Sequence, residues 1–427
     1  MKKVWLISAA AIVASSTLAL GGCSSGGSGG ASGGSGHATI EVETDMGSGT
    51  PELKALTSIA KEFESTHKNI TLKLVPGTGE TNYEAAIKVR LAAHNPPDIW
   101  MTHGWSVLRY GQFLAPLQDE SWAKNLNPAL KPAMVDEKGN LFALPTDIDV
   151  SGIMYNADVL KEAGIDPASI TSWSAFDAAC AKLKAEGISP LYVGGKSMAA
   201  AVADRLLPGG FSDSALKKMK SGTFVAKDFA KTLKLIANWK QAGYLNPDYS
   251  SANQTTMGDA LARGQAAFEM GPTSIVNTAH STNPKAQFGF IPIPSIDDND
   301  TFLVAGERTA FGASKTGKHL AQAKEFLTFL AQPANETAMS AATASAPGLT
   351  NAKETKGILS SSFATYVTEK STPSVPYFDR VYLPDGAWVP LGNAIDSVIT
   401  GQSSVDAATQ MMQQTYESLS AQAKANS

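Results

Sequence analysis

Cysteine is nearly missing from this chain: 427 residues contain only Cys23 and Cys180. No disulfide framework can be written from that pair. An excess of basic charge is missing as well. Lys and Arg number 35 against 39 Asp and Glu, for a formal net charge of −4. No basic stripe runs through the sequence, which argues against a nucleic-acid binder. Charged residues make up 17% and hydrophobic residues 43%, the balance of a folded, water-soluble body. The six His are scattered. None has metal-ligand spacing, and HExxH is absent. No metal or cofactor is expected. Beyond the first 22 residues, no apolar run is long enough to span a bilayer.

Three apparent motifs fail on context. Gly26-Gly27-Ser28-Gly29-Gly30 has the spacing of a nucleophile elbow but lies in a Gly/Ser tract, where no strand–turn–helix can hold a strained Ser. Gly312 to Lys318 has most of a phosphate-binding loop, yet His319 stands where the Mg²⁺-binding hydroxyl belongs. Asp297-Asp298-Asn299-Asp300 has neither the glycine turn nor the distal Glu of a calcium loop, and reads as a solvated acidic turn.

The N-terminus is informative. Lys2 and Lys3 precede an apolar or small stretch from Val4 to Leu20, then Gly21-Gly22-Cys23. This is a secretory signal, residues 1–22, and is set apart from the fold. Leu20 to Cys23 resembles the bacterial lipobox. The resemblance implies cleavage before Cys23 and a diacylglycerol thioether on its sulfur. Acyl chains of that kind anchor at ~0.8 kcal/mol per buried CH2. Residues 23–37 then form a Gly/Ser tether with a coil span of roughly 20 Å. The expected location is the extracytoplasmic face of a bacterial cell membrane. With Cys23 lipidated, Cys180 stands alone. Phe176, Cys180 and Leu183 recur at helical spacing, so Cys180 reads as a core side chain.

From Ala38 the pattern is α/β. Thr39 to Glu43 alternates as a strand. Thr50-Pro51 reads as a cap and first residue of a helix with its stripe at Leu53, Leu56, Ile59, Ala60 and Phe63. Ile70 to Val75 alternates again. Tyr83 to Leu91 is helical, and Asn95-Pro96-Pro97 breaks it before the short apolar strand Asp98 to Met101. A second unit of the same kind follows residue 150. Thr171-Ser172-Trp173 caps a helix, Pro190 to Val193 and Phe288 to Pro294 are strand-like, and further helices carry Phe229 to Trp239, Leu320 to Leu330 and Val405 to Leu419. Strands alternating with helices argue for parallel sheets covered by helices.

Several segments in order resemble the extracellular solute-binding proteins of the sugar-type family, which serve ATP-binding-cassette importers. They are Asn95-Pro-Pro-Asp-Ile-Trp-Met, Gln112-Phe-Leu-Ala-Pro-Leu-Gln, Asn140-Leu-Phe-Ala-Leu-Pro-Thr with Gly152-Ile-Met-Tyr-Asn, and Ala163-Gly-Ile with Thr171-Ser-Trp. Gly264-Gln-Ala-Ala-Phe with Gly271-Pro272, Ala323 to Leu330, and Tyr377 to Trp388 follow. The last block resembles the oligosaccharide-binding branch. The resemblance implies two lobes, each a mostly parallel sheet flanked by helices, with a ligand cleft between them. The first lobe would be residues 38–148 plus 290–330, the second 149–289 plus 331–427. Chain crossings would fall near 145–152, 288–292 and 330–335. It further implies a monomeric, non-enzymatic receptor that closes on a sugar and delivers it to membrane permease subunits.

A sugar offers an apolar C–H face to aromatic rings and a hydroxyl rim to carboxylates and cationic donors. Trp105, past the end of a strand, and Trp388, after a Pro/Asp/Gly turn, are the stacking candidates. Asp147 and Asp149 stand two apart in the first crossing and would share one face. Asp45, Glu80, Lys196, Glu307, Arg308 and Asp379 complete the candidate set. Glu307 and Arg308 have the alternative of pairing with each other. Thr273 and Ser274 follow Gly271-Pro272 where some relatives carry a stacking Trp. That departure argues against a long aromatic ladder for linear maltodextrins. Two other readings stay open: the same receptor for a polyamine or phosphorylated polyol, and a lipid-anchored glycosidase with paired carboxylates.

Overall fold

Helix starts follow the capping rules. The Thr50 hydroxyl accepts the Leu53 N–H at 3.3 Å, and Pro51 takes the first helical position, where no N–H is needed. The helix Pro51–Thr66 buries Leu53, Leu56, Ile59, Ala60 and Phe63. Ser172 caps Trp173–Ala185 by accepting from Ala175, and that helix buries Phe176, Ala179, Cys180 and Leu183. Cys180 is buried and free. Burial pushes its thiol well above the usual range, so it stays protonated and inert.

The structure is a computed structural model that describes residues 37–77, 80–102, 106–297, 300–343, 345–354 and 357–425. Its strands are β1 (Ala38–Glu43), β2 (Ile70–Val75), β3 (Ile99–Thr102), β4 (Leu144–Pro145), β5 (Asp149–Ser151), β6 (Ile153–Asn156) and β7 (Ser189–Leu191). There follow β8 (Ala266–Glu269), β9 (Phe288–Ile291), β10 (Ile293–Pro294), β11 (Thr301–Gly306), β12 (Ala310–Ala313) and β13 (Ser374–Pro376).

Two sheets form the two lobes. The first has the order β2-β1-β3-β12-β4, with β1 parallel to β2 and β3, and β12 antiparallel to its neighbours. The second has the order β7-β8-β6-β9. Here only β7 and β8 run parallel, while β6 is antiparallel to both β8 and β9. The expectation of a mostly parallel sheet does not hold for this lobe. The reason is topological: β6 carries the chain into the sheet and β9 carries it out, so they run opposite ways.

A third sheet joins the lobes. β11 pairs antiparallel with β5 and β10 and parallel with β13. β5 of the first pass and β10 of the second thus both pair with β11, and beyond them β6 and β9 run side by side. The last pass comes later than 330–335. The helix Pro333–Thr343 still packs on Pro51–Thr66, Ile148 bridges Ala346, and only then does Phe363 meet Phe290 of β9, ring centroids 5.3 Å apart.

Gly152 sits between β5 and β6. A Cβ there would stand 2.0 Å from the Ile291 carbonyl oxygen, so the two crossings approach this closely only because the side chain is absent. In the acidic turn, Asp297 pairs with Lys231, while Asp298 and Asn299 lie outside the described residues.

Glu269, the last residue of β8, is fully buried, and neither carboxylate oxygen has a hydrogen-bond partner among the described residues. Burial raises its pKa well above the usual 4.5. The folded chain therefore keeps this proton at pH values where the unfolded chain has released it. Its contribution to stability is fullest below pH 4.5 and declines as pH rises above that value.

Two outcomes follow from this packing. Gly152→Ala lowers stability by about 1–3 kcal/mol, read as a reduced urea midpoint, and an unchanged midpoint would contradict the close approach. Glu269→Gln raises the melting temperature at pH 8 by ~2–4 °C and leaves it nearly unchanged at pH 4.5. Equal shifts at both pH values would mean that the folded carboxyl is already ionised.

Candidate functional site

A cavity of about 720 Å³ opens where the three sheets meet, within the ~300–1,000 Å³ usual for small-molecule sites. The first lobe contributes Asp45 and Met46 after β1, Thr50 and Glu52 at a helix start, Met101 of β3, and Arg109. The joining sheet contributes Asp149 from β5, with Arg308 and Thr309 just past β11 and Tyr377 and Asp379 just past β13. The second lobe contributes Met198, Ala201, Asp204 and Arg205 from one face of the helix Lys196–Leu206, and Gln254, Pro272 and Ser274. Trp388 stands at the start of the helix Trp388–Ile399, half-exposed at this cavity.

Of the sequence candidates, Asp45, Asp149, Arg308, Asp379 and Trp388 are brought together on this lining. Asp147 is not. It is fully buried, and its Oδ1 accepts the backbone N–H of Arg308 at 2.8 Å and of Thr309 at 3.0 Å. The pair therefore divides its work: Asp147 holds the β11–β12 turn, and Asp149 faces the cavity. Glu307 is off the lining as well, fully buried with Arg380 donating to its carbonyl and lying 3.8 Å from its carboxylate. It does not pair with Arg308, which instead meets Glu52 at 2.9 Å. Trp105 lies outside the described residues. Glu80 and Lys196 open helices, and their side chains lie outside the described residues.

Asp149 is held from two directions. Thr273 donates to Oδ1 at 2.7 Å, and Tyr377 donates to Oδ2 at 2.9 Å. Tyr377 lies 3.2 Å from the Ser151 hydroxyl and accepts from Arg205 at 3.3 Å. Arg380 stacks over the Tyr377 ring at 4.2 Å. Thr273, which follows Gly271-Pro272, is thus committed to Asp149. Gly77 makes the neighbouring loop possible, since a Cβ there would stand 2.5 Å from the Asp45 backbone.

Seven acids and five bases line the cavity. Each base already has a partner. Lys88 and Arg109 both approach Asp385 at 3.9 Å, Arg308 meets Glu52, Arg380 meets Glu307, and Arg205 donates to Ala201, Ser151 and Tyr377. Asp204 accepts the Asp379 N–H at 2.7 Å. Burial, then the nearby Asp379 charge, raises the Asp204 carboxyl well above the usual range. The lining is more apolar than polar in area and carries a small excess of acids, with methionine and tryptophan between the charged groups. It suits a neutral ligand rich in hydroxyls.

Sequence reading missed Arg109, Asp204, Arg205, Tyr377 and Arg380 as lining residues. Tyr377 and Arg380 lay inside a segment already singled out. Asp204 and Arg205 had a fainter signal: two adjacent charges ending the alanine-rich run Ala199 to Ala203.

The family described as "Bacterial extracellular solute-binding protein" matches residues 47–337. The chain is 31% identical over 363 residues to the melibiose/raffinose/stachyose-binding protein MelE of Bacillus subtilis (strain 168), covering 83% of each. The structure of a sugar transporter from Bacillus licheniformis in complex with stachyose superposes with a TM-score of 0.76 and 30% identity, covering 89% of this chain and 100% of that one. The binding protein MsmE of Bacillus subtilis subsp. subtilis strain 168, in an open conformation, gives a TM-score of 0.81 at 27% identity, over 90% of this chain and 98% of that one. With most of its length matched by that family and a cavity set where its three sheets meet, the chain belongs to the bacterial extracellular solute-binding proteins.

Proposed function

We propose that this protein is the sugar receptor of an ATP-binding-cassette importer, and that its ligand is an oligosaccharide ending in an α-galactosyl unit. The carrying observation is the cavity lining, where Asp149, Asp379, Arg308 and Trp388 converge with no cation left unengaged. Likeness to the melibiose/raffinose/stachyose-binding protein and to the stachyose complex supports the ligand class, since those three sugars share an α-galactosyl end. Hydroxyls would donate to the carboxylates and accept from Arg308, and a ring face would lie on Trp388. A phosphorylated polyol would meet an excess of acids, which disfavours it.

In this reading the first lobe takes residues 38–148 plus 310–350 and the second takes 153–291 plus 357–425, with β5, β10 and β11 crossing between them. Closure excludes water, which strengthens each polar contact. Shifting the lobes from 1:99 open to 99:1 closed needs about 5.5 kcal/mol of preference for the closed form. The ligand leaves unchanged to the permease subunits, the chain acts as a monomer, and a lipidated Cys23 keeps it at the extracytoplasmic face of the membrane. A Gly/Ser tether lets the body reach its permease.

Raffinose or stachyose at 100 times its dissociation constant adds ~2.7 kcal/mol of stability, read by thermal unfolding. Trp388→Ala weakens binding about tenfold, ~1.4 kcal/mol, in calorimetric titration. A response to spermidine or an inositol phosphate without one to these sugars would overturn the ligand class. Turnover of a bound glycoside would overturn the receptor reading. For the anchor, Cys23→Ser moves the protein from the membrane fraction to the soluble one, and retention in the membrane would contradict lipidation at that sulfur.

A further inference from the structure

We propose that Arg109 is a positioning residue that straps the second lobe's Asp379–Trp388 segment to the first lobe and so presets the cleft for its ligand. Arg109 lies on the short helix Ser106–Tyr110, just beyond β3 of the first sheet. The segment it grips follows β13 and leads into the helix Trp388–Ile399, which packs on Lys196–Leu206 of the second lobe. The guanidinium therefore reaches from one lobe to the other.

Its grip is on backbone. Nη2 donates to the Leu383 carbonyl at 2.5 Å and to the Asp379 carbonyl at 3.3 Å. Nη1 lies 3.9 Å from the Asp385 carboxylate, which Lys88 of the helix Glu80–Ala92 approaches at the same distance. The two ends of the gripped segment carry Asp379 and Trp388, both on the cavity lining. On the second-lobe side the segment is tied by the Asp379 N–H to Asp204. Gly386, at φ 83°, supplies the left-handed turn just before Trp388.

Fixing this turn before ligand arrives has a thermodynamic consequence. A receptor whose binding-competent arrangement is only partly populated loses apparent affinity by that fraction. A guanidinium spanning two carbonyls holds the arrangement better than a single ammonium can. Removing it lets Asp379 and Trp388 sample other positions and weakens binding without touching either side chain.

The affinity arm of the test rests on the sugar reading above, and the exchange arm does not. Hydrogen–deuterium exchange is measured on the full sugar-free chain of wild type, Arg109→Ala, Arg109→Lys and Asp385→Asn, with stachyose titrations alongside. In Arg109→Ala, amides of residues 380–388 exchange about tenfold faster while the helix Ala226–Ala242 is unchanged, and the stachyose dissociation constant rises about tenfold. Arg109→Lys and Asp385→Asn give smaller changes of the same sign. Unchanged exchange in the turn, or equal acceleration in Ala226–Ala242, would overturn the proposal. If Arg109→Ala does not fold, the lysine variant decides by the same two measures. If wild type binds no sugar, the ligand reading falls while the exchange result still judges the strap.

Discussion

The structure depends on the backbone ladder that β5, β11 and β13 share between the lobes. Gly306 faces Asp149 and Ala305 faces Val150 on one side of β11, while Val304 faces Val375 and Ala305 faces Pro376 on the other. Strand pairing fixes register to the residue, because a slip by one would turn every side chain to the opposite face. Asp149 lies in the ladder, Arg308 and Thr309 come just after β11, and Tyr377 and Asp379 come just after β13. The central part of the cavity lining therefore inherits its geometry from one small sheet.

Charge burial sets the second constraint. An ion removed from water is costly unless paired and hydrogen-bonded. Here Asp147, Glu307 and Arg380 are spent on turns and strand ends, and Asp149 is gripped by Thr273 and Tyr377. This leaves a wall of oriented dipoles and charges that already face opposite charges or hydrogen-bond donors within the protein. Such a wall gains little from a strongly charged guest and offers directional partners to hydroxyls. The methionines Met46, Met101 and Met198 fill the gaps with adaptable apolar surface.

The sequence made the elements legible because local chemistry decides them. Thr50 and Ser172 cap helices through their own hydroxyls, and the stripe of Leu53, Leu56, Ile59 and Phe63 needs only the helical period. The strand direction in the second lobe was not legible, since β6 and β9 read as apolar runs whichever way they pair. The same holds for the split between Asp147 and Asp149. Both sit in one extended stretch, and only the position of the β11–β12 turn, far along the chain, decides which carboxylate caps it. Arg308, Asp379 and Trp388 fall on the lining because they follow strand ends or a turn. Arg109 was not legible, because its hydrogen bonds to the Asp379 and Leu383 carbonyl oxygens carry no sequence signal.

The sealed thiol of Cys180 has a practical reach. It is the only cysteine among the described residues, and it is buried. Val389 stands at the cavity mouth with 67% of its surface exposed. A dye-bearing maleimide would therefore react with a cysteine placed at Val389 and pass over Cys180. The protein is ready-made for conversion into a fluorescent reporter of whatever enters its cleft.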